Sequence, residues 1–221
     1  MANLTLYNYF RSSTSYRVRI ALALKGLDYE YKPIHLIKNG GEQHSPEFRR
    51  LNPMGGVPTL VHYENTISQS FAIIEYLDEV FPQTHKLFPT DSLQKAHVRE
   101  FCQIINADIH SYGNLKTLQY LDKNLNVAEA QRNEWIRHFF TSGLQACEKI
   151  LEKTSGEYCF GNNLTAAECF LIPVLFTAQR FNVSLDSLKN CQRINEKCLS
   201  LDSFKKAHPF KQLDTPAELK I

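Results

Sequence analysis

No cysteine precedes Cys102 in this 221-residue chain, so its first part carries no thiol of its own to serve as a nucleophile. The six cysteines that follow (Cys102, Cys147, Cys159, Cys169, Cys191 and Cys198) make no CxxC pair. No histidines gather at zinc spacing, and a metal site is therefore not expected. Reduced, buried thiols are the reading that remains. Charge of one sign is missing as well: the formal net charge of +2 is too small to argue for nucleic acid or an anionic membrane as partner. No apolar run approaches membrane-span length, and the polar opening Met1-Ala2-Asn3 lacks the apolar core of a secretory signal. The expectation is a cytoplasmic protein.

What is present is an ordinary globular composition, 43% hydrophobic and 22% charged, in a length that suits one large domain or two small ones. Leu4-Thr5-Leu6-Tyr7 alternates with period 2 and predicts a strand, followed by a helix that runs through Ile20-Ala21-Leu22-Ala23-Leu24-Lys25 and stops at Gly26. A second strand is expected over Tyr29–Leu36. Ser45-Pro46 starts a short helix, with Ser as N-cap and Pro at the first helical position, and Asn52-Pro53 breaks it. Thr59-Leu60-Val61-His62 and Thr66-Ile67 predict a hairpin around Glu64-Asn65, and Ser68-Gln69-Ser70 opens a helix through Leu77. The order βαβαββα is that of a thioredoxin-like fold. After a linker over 83–91, carrying Pro89, helical stretches recur around 92–120, 128–152, 165–181 and 187–200. The expected fold class is α/β plus all-α, with a thioredoxin-like domain over 1–82 and a helical bundle over 92–221.

The segment Ser12-Ser13-Thr14-Ser15 sets four small hydroxyl residues where the first strand gives way to the first helix. Ser15 or a neighbour can cap that helix. A helix N-terminus offers unpaired N–H donors and the positive end of a dipole, so an anion is favoured there. Hydroxyls aimed at the same point would hydrogen-bond a thiolate and lower its pKa. With no cysteine nearby, that thiolate has to come from a ligand.

Two further places face the same cleft in this topology. A cis Val57–Pro58 bond would turn the N–H and C=O of Val57 toward a peptide-like ligand, although an ordinary trans proline satisfies the sequence equally. Gln69-Ser70 opens a helix whose free N–H groups could take a carboxylate, although a simple cap explains Ser70 as well. A tripeptide with a central thiol and a carboxylated, amine-bearing end would reach all of them, and glutathione has that shape.

The residues now carry a resemblance. Ser12-Ser13-Thr14-Ser15-Tyr16-Arg17-Val18-Arg19-Ile20-Ala21-Leu22 is similar to the signature Ser-Ser-Cys-Ser-Trp-Arg-Val-Arg-Ile-Ala-Leu of the zeta-class glutathione transferases. The likeness continues through Asn52-Pro53-Met54, Val57-Pro58-Thr59-Leu60, Gln69-Ser70, Asn114-Leu115, Thr165-Ala166-Ala167-Glu168 and Arg180-Phe181 to His208-Pro209 and Asp214-Thr215-Pro216. It implies the glutathione transferase fold, a homodimer, and glutathione as cofactor. Ser12 would activate its sulfur with Ser13 assisting. Gln43, Val57, Gln69 and Ser70 would hold the tripeptide, His110 and Asn114 would close over it, and Arg17 and Arg180 would neutralise a small dicarboxylate substrate. Ser12, Ser13 and Arg17 are the expected catalytic set. The activity implied is glutathione-dependent cis–trans isomerisation of maleylacetoacetate to fumarylacetoacetate in tyrosine and phenylalanine breakdown. Maleylpyruvate or α-halo acids as substrates, or glutathione binding without catalysis, are the rivals. Two positions depart from the family pattern: Thr14 replaces the signature cysteine, and Gly55-Gly56 replaces larger polar residues before Val57.

Other features read as structure. Thr165-Ala166-Ala167-Glu168 is a capping box before an apolar run. Trp135, Phe139 and Leu144 have helical spacing and are expected in the core. Arg49-Arg50 reads as a solvated helix face. Arg180, on an otherwise apolar helix, calls for a carboxylate, from either a structural partner or a substrate.

Overall fold

The computed structural model describes residues 3–221, which divide into two compact units. The first runs to Phe88 and takes in Leu199–Ile221; the second is Pro89–Cys198.

In the first unit β1 (Leu4–Asn8) leads into α1 (Ser13–Leu24), β2 (Glu30–Pro33), α2 (Pro46–Leu51), β3 (Thr59–His62), β4 (Asn65–Ser68) and α3 (Ser70–Val80). This is the expected βαβαββα order. The sheet has the strand order β2-β1-β3-β4, with β1 parallel to β2 and antiparallel to β3. Leu4, Leu6 and Asn8 alternate into the core along β1, as a period of 2 requires. Lys25 caps the end of α1, and Gly26 follows at φ +63°, a left-handed conformation suited to glycine. Phe48 of α2 packs on Tyr7 of β1, with ring centroids 6.0 Å apart. Asp78 on α3 accepts from Leu87 N (2.8 Å), Phe88 N (3.2 Å) and Lys25 Nζ (2.9 Å). Those bonds tie the start of the expected linker to this unit, and the division between the units falls after Phe88.

The C-terminal segment corrects the sequence reading, which gave everything from 92 to 221 to the helical bundle. From Leu199 on, the chain belongs to the first unit. There α10 (Asp202–Ala207) packs against α1, with Phe204 and Ala207 buried. The reason is polar as much as apolar. Arg19 of α1 is buried, and its guanidinium donates to Ala207 O (3.0 Å), Asn8 Oδ1 (3.0 Å), Tyr9 O (3.3 Å) and Phe10 O (2.9 Å). Burial pulls its pKa below the ordinary arginine value.

The second unit is helical. It comprises α4 (Ser92–Gln103), a π-helical stretch (Ile104–His110), α5 (Ser111–Gly113), α6 (Leu115–Lys123), α7 (Glu129–Thr154), α8 (Ala166–Arg180) and α9 (Lys189–Leu199). The continuous helix expected near 92–120 is thus widened at 104–110 and interrupted at Asn114. The π stretch lies against α7 so closely that a Cβ at Gly143 would meet Ile109 Cγ1 at 2.3 Å. The capping box forms as predicted: Glu168 accepts from Thr165 N and from Cys159 N, each at 2.7 Å. The apolar stripe of α7 is Ile136, Phe140, Leu144 and Leu151; Trp135 and Phe139 are only half-buried. Phe139 stacks on Tyr112 at 3.8 Å, and Trp135 Nε1 donates to Tyr112 O (3.0 Å). All six cysteines are buried and none forms a disulfide; burial pushes the Cys147 thiol up to about 12. Among the described residues no helix is long and apolar enough to cross a membrane, and no group of His, Cys, Asp or Glu could hold a metal ion.

Candidate active site

The N-cap of α1 is Ser12, earlier than the Ser15 first named from the sequence. Its extended backbone (φ −67°, ψ 120°) lets Oγ accept from Ser15 N at 3.2 Å, and the helix begins at Ser13. Ser15 is fully buried and instead accepts from Tyr9 N at 3.4 Å. Ser12, Ser13 and Thr14 are partly exposed, and no acidic residue stands in the first turn to compete with a bound anion. Ser12 Oγ and Thr14 Oγ1 lie 2.9 Å apart, and Thr14 Oγ1 lies 2.9 Å from Val57 O.

The backbone before Ser12 is held from behind. Ser12 N donates to Tyr9 O at 3.0 Å, Phe10 N donates to Asp214 Oδ2 at 2.9 Å, and Arg19 holds the carbonyls of Tyr9 and Phe10. Asp214 also accepts from Tyr31 OH. Sequence reasoning noted Arg19 and Asp214 only as letters of the family pattern and gave them no role in shaping this turn.

The Val57–Pro58 bond is cis. Asn52, read from the sequence only as a helix breaker, fixes the approach to it. Its Nδ2 donates to Gly56 O (2.8 Å) and Thr59 Oγ1 (3.1 Å), and its Oδ1 accepts from Met54 N (3.1 Å). Arg49 and Arg50 are exposed, as expected of a solvated helix face, and Arg49 also donates to Pro53 O at 2.6 Å, closing the loop over Gly55. Gly55 sits at φ +60°, where a Cβ would come 2.9 Å from the Arg49 guanidinium and from Gln43 O. That crowding gives the small residue at this departure from the family pattern a physical reason.

Gln43 is buried, with Nε2 donating to Leu36 O (3.3 Å) and approaching His44 Nε2 at 3.2 Å. Its Oε1 has no hydrogen-bond partner, leaving a buried acceptor open. Gln69, not Ser70, is the N-cap of α3; it has φ +72° and makes no side-chain cap, so the first N–H groups of α3 are not closed by it. Ser70 is buried inside the first turn, where its Oγ accepts from Arg17 Nη1 at 3.2 Å. Arg17, expected from the resemblance to meet the substrate, is 1% exposed and braces the start of α3 through Ser70.

Three expected site residues lie in the second unit. His110 ends the π stretch and is half-buried. Asn114 caps α6: Oδ1 accepts from Thr117 N (2.9 Å) and Nδ2 donates to Ser111 O (3.0 Å), which engages both ends of the amide in the fold. Arg180, the last residue of α8, is exposed, with its guanidinium 4.7 Å from the centre of the Phe181 ring.

Comparison with known proteins agrees with this arrangement. Residues 2–79 match the family described as "Glutathione S-transferase, N-terminal domain". The maleylacetoacetate isomerase of Rattus norvegicus is 46% identical over 215 residues, covering 97% of this chain and 96% of the rat protein. A holo structure of maleyl pyruvate isomerase, described as a bacterial glutathione-S-transferase in zeta class, superposes with a TM-score of 0.92 at 39% identity, covering 96% of this chain and all of the other. A maleylacetoacetate isomerase from Methylobacterium extorquens AM1, solved with bound malonate and glutathione, gives a TM-score of 0.89 at 31% identity, covering 96% of this chain and 100% of that one. Identity of that extent spans both units, well past the hydroxyl turn and the cis proline, and this chain belongs to the zeta-class glutathione transferase family.

Proposed function

We propose that this chain is a glutathione-dependent cis–trans isomerase acting on maleylacetoacetate. The observation that carries the reading is the partly exposed Ser12 hydroxyl at the N-terminus of α1, linked through Thr14 Oγ1 to the carbonyl of Val57 before a cis proline. Glutathione fits the donors and acceptors present: the hydroxyl turn suits a thiolate, the orphaned Gln43 Oε1 suits an amide N–H, and the uncapped start of α3 suits a carboxylate.

When bound, glutathione supplies the nucleophilic sulfur that adds to the cis double bond and leaves once the resulting single bond has rotated. The chain's own work is electrostatic. A free thiol is mostly protonated at neutral pH, so a hydrogen bond donated by the Ser12 hydroxyl and the N–H groups opening α1 raise the thiolate fraction. Ser13 adds to that field, and Val57, Gln43, Gln69 and the first turn at Ser70 orient the tripeptide. Arg17 acts through Ser70 and not on the substrate. Within the second unit, Arg180 is exposed at the end of α8 and is the cation there suited to a carboxylate.

Maleylpyruvate is the second reading, favoured by the likeness to a maleyl pyruvate isomerase at a TM-score of 0.92. A place in tyrosine and phenylalanine breakdown follows from the first substrate. Six buried thiols without a disulfide support a reducing, cytoplasmic setting. A homodimer follows from the family to which the chain belongs.

The test is isomerisation of maleylacetone, a stable cis analogue, followed by absorbance with and without glutathione. Turnover that requires glutathione supports the reading. Binding of glutathione without turnover overturns it and leaves a binding protein or a transferase for other electrophiles. Running maleylpyruvate beside it decides between the two diacids by kcat/KM.

A further inference from the structure

Thr14 stands where the family signature has cysteine, and its hydroxyl touches both halves of the proposed glutathione seat. Its Oγ1 is 2.9 Å from Ser12 Oγ and 2.9 Å from Val57 O. A hydroxyl has one proton and two lone pairs, so Thr14 donates to only one of these neighbours at a time. While it donates to Val57 O, it accepts from Ser12, and the Ser12 proton is turned away from any bound sulfur. While it donates to Ser12 Oγ, the Val57 carbonyl loses that donor, and an N–H of a peptide-like ligand can replace it. Ser12, which also accepts from Ser15 N at 3.2 Å, then has its own proton to aim at a thiolate.

We propose that Thr14 is a positioning residue that couples docking of the glutathione backbone at Val57 to activation of the thiol at Ser12. The proposal rests on the glutathione reading above. Once a ligand N–H pairs the Val57 carbonyl, the Thr14 hydroxyl can rotate about its Cβ–Oγ1 bond and donate to Ser12 Oγ without leaving that carbonyl unpaired. No covalent bond breaks and each proton stays on its own oxygen. The competing arrangement, with Thr14 kept on Val57 O while Ser12 donates to sulfur, leaves two oxygens 2.9 Å apart with no proton between them. Hydrogen bonds in a chain polarise one another, so a Ser12 that accepts from two donors is the stronger donor to a charged sulfur. A cysteine at this position has only a weak S–H to offer.

The test compares full-length wild type with Thr14→Val, which keeps the branched shape and loses the hydroxyl, and with Thr14→Ser, which keeps the hydroxyl. Each is saturated with glutathione, and the ultraviolet absorbance of the thiolate is titrated against pH. Loss of one ordinary hydrogen bond predicts that Thr14→Val raises the bound thiol pKa by about half a unit to one unit, leaving about 3–10-fold less thiolate at pH values below both. Thr14→Ser restores the wild-type value. Thr14→Cys gives an upward shift and serves as the second variant should Thr14→Val fold poorly. An unchanged pKa, or one that falls because Thr14 had been holding the Ser12 proton, overturns the relay. A wild-type protein that binds glutathione and forms no thiolate removes the glutathione-activation reading and the relay with it. A thiolate in wild type that no Thr14 variant shifts removes the relay alone.

Discussion

Single residues here serve fold and chemistry at once, and Ser12 is the clearest case. Its Oγ caps α1 by accepting from Ser15 N, while its proton is the one proposed for the sulfur. Ser12→Ala is therefore expected to act twice. Losing a hydrogen bond to a charged group raises the bound thiol pKa by roughly one to two units, and turnover at neutral pH falls about 10–100-fold. Losing the cap costs about 1 kcal/mol of stability. Turnover and glutathione affinity measured beside a urea melt separate the two, and an undiminished kcat would remove Ser12 from its role. Gly55 is the opposite kind of residue, one that acts by having no side chain. At φ +60° with Gln43 O 2.9 Å from the place of a Cβ, Gly55→Ala is expected to cost about 1–2 kcal/mol and to weaken glutathione binding through the loop that holds Gln43 and Val57. Denaturant midpoints and a glutathione titration check both effects.

Elements were legible in the sequence where one local rule fixed them. The period of 2 in β1, the Ser45-Pro46 start of α2 and the Thr165–Glu168 capping box all formed as read. The π stretch at Ile104–His110 did not announce itself, because widening the helix leaves the same residues, Ile105 and Ile109, facing inward. Burial of Arg17 was equally hidden. A cation beside a hydroxyl turn looks like a substrate ligand, and only packing shows it enclosed against Ser70. One helix start depends on a residue far away in sequence. Glu148 of α7 accepts from Asn190 N (2.8 Å) and Cys191 N (2.9 Å) at the beginning of α9. Burial alone would raise this carboxyl, yet the Asn190 and Cys191 donors outweigh it and hold its pKa below the ordinary value. A folded-state pKa below the unfolded one stabilises above the unfolded value of about 4.3, and that contribution is lost as pH falls through the folded value. The expected outcome is a denaturation midpoint that drops as pH is lowered from about 6 to about 3, with a shallower slope in Glu148→Gln. Equal slopes in the two proteins would discount this capping as a source of acid sensitivity.

At the scale of the whole molecule, chain order and unit membership part company, and this was the least readable feature of the sequence. Periodicity tells which face of a helix is apolar but not which partner will cover it, so the segment after Leu199 was assigned to the helical bundle it follows. In the fold it completes the first unit. It supplies Ala207 O to the buried guanidinium of Arg19 and the Asp214 carboxylate to Phe10 N and Tyr31 OH, and it covers α1 with Phe204 and Ala207. Remove it, and Arg19 keeps fewer of its acceptors, Phe10 N loses its partner two residues before Ser12, and the face of α1 packed by α10 meets water. Each buried polar group left unpaired costs about 1–3 kcal/mol, and a domain's whole stability is only about 5–15 kcal/mol. A fragment of residues 1–88 is therefore expected to be unfolded on its own and to gain structure and glutathione binding when a separate peptide of residues 199–221 is added. Circular dichroism of the fragment, alone and titrated with the peptide, makes the measurement. A fragment that folds and binds glutathione without the peptide would reduce the C-terminal segment to a passenger. In the full chain, Asp214→Ala gives the matching point test: it removes the acceptor of Phe10 N, so glutathione affinity should fall together with the urea midpoint, although Asp214 stands 202 positions beyond Ser12 in the sequence.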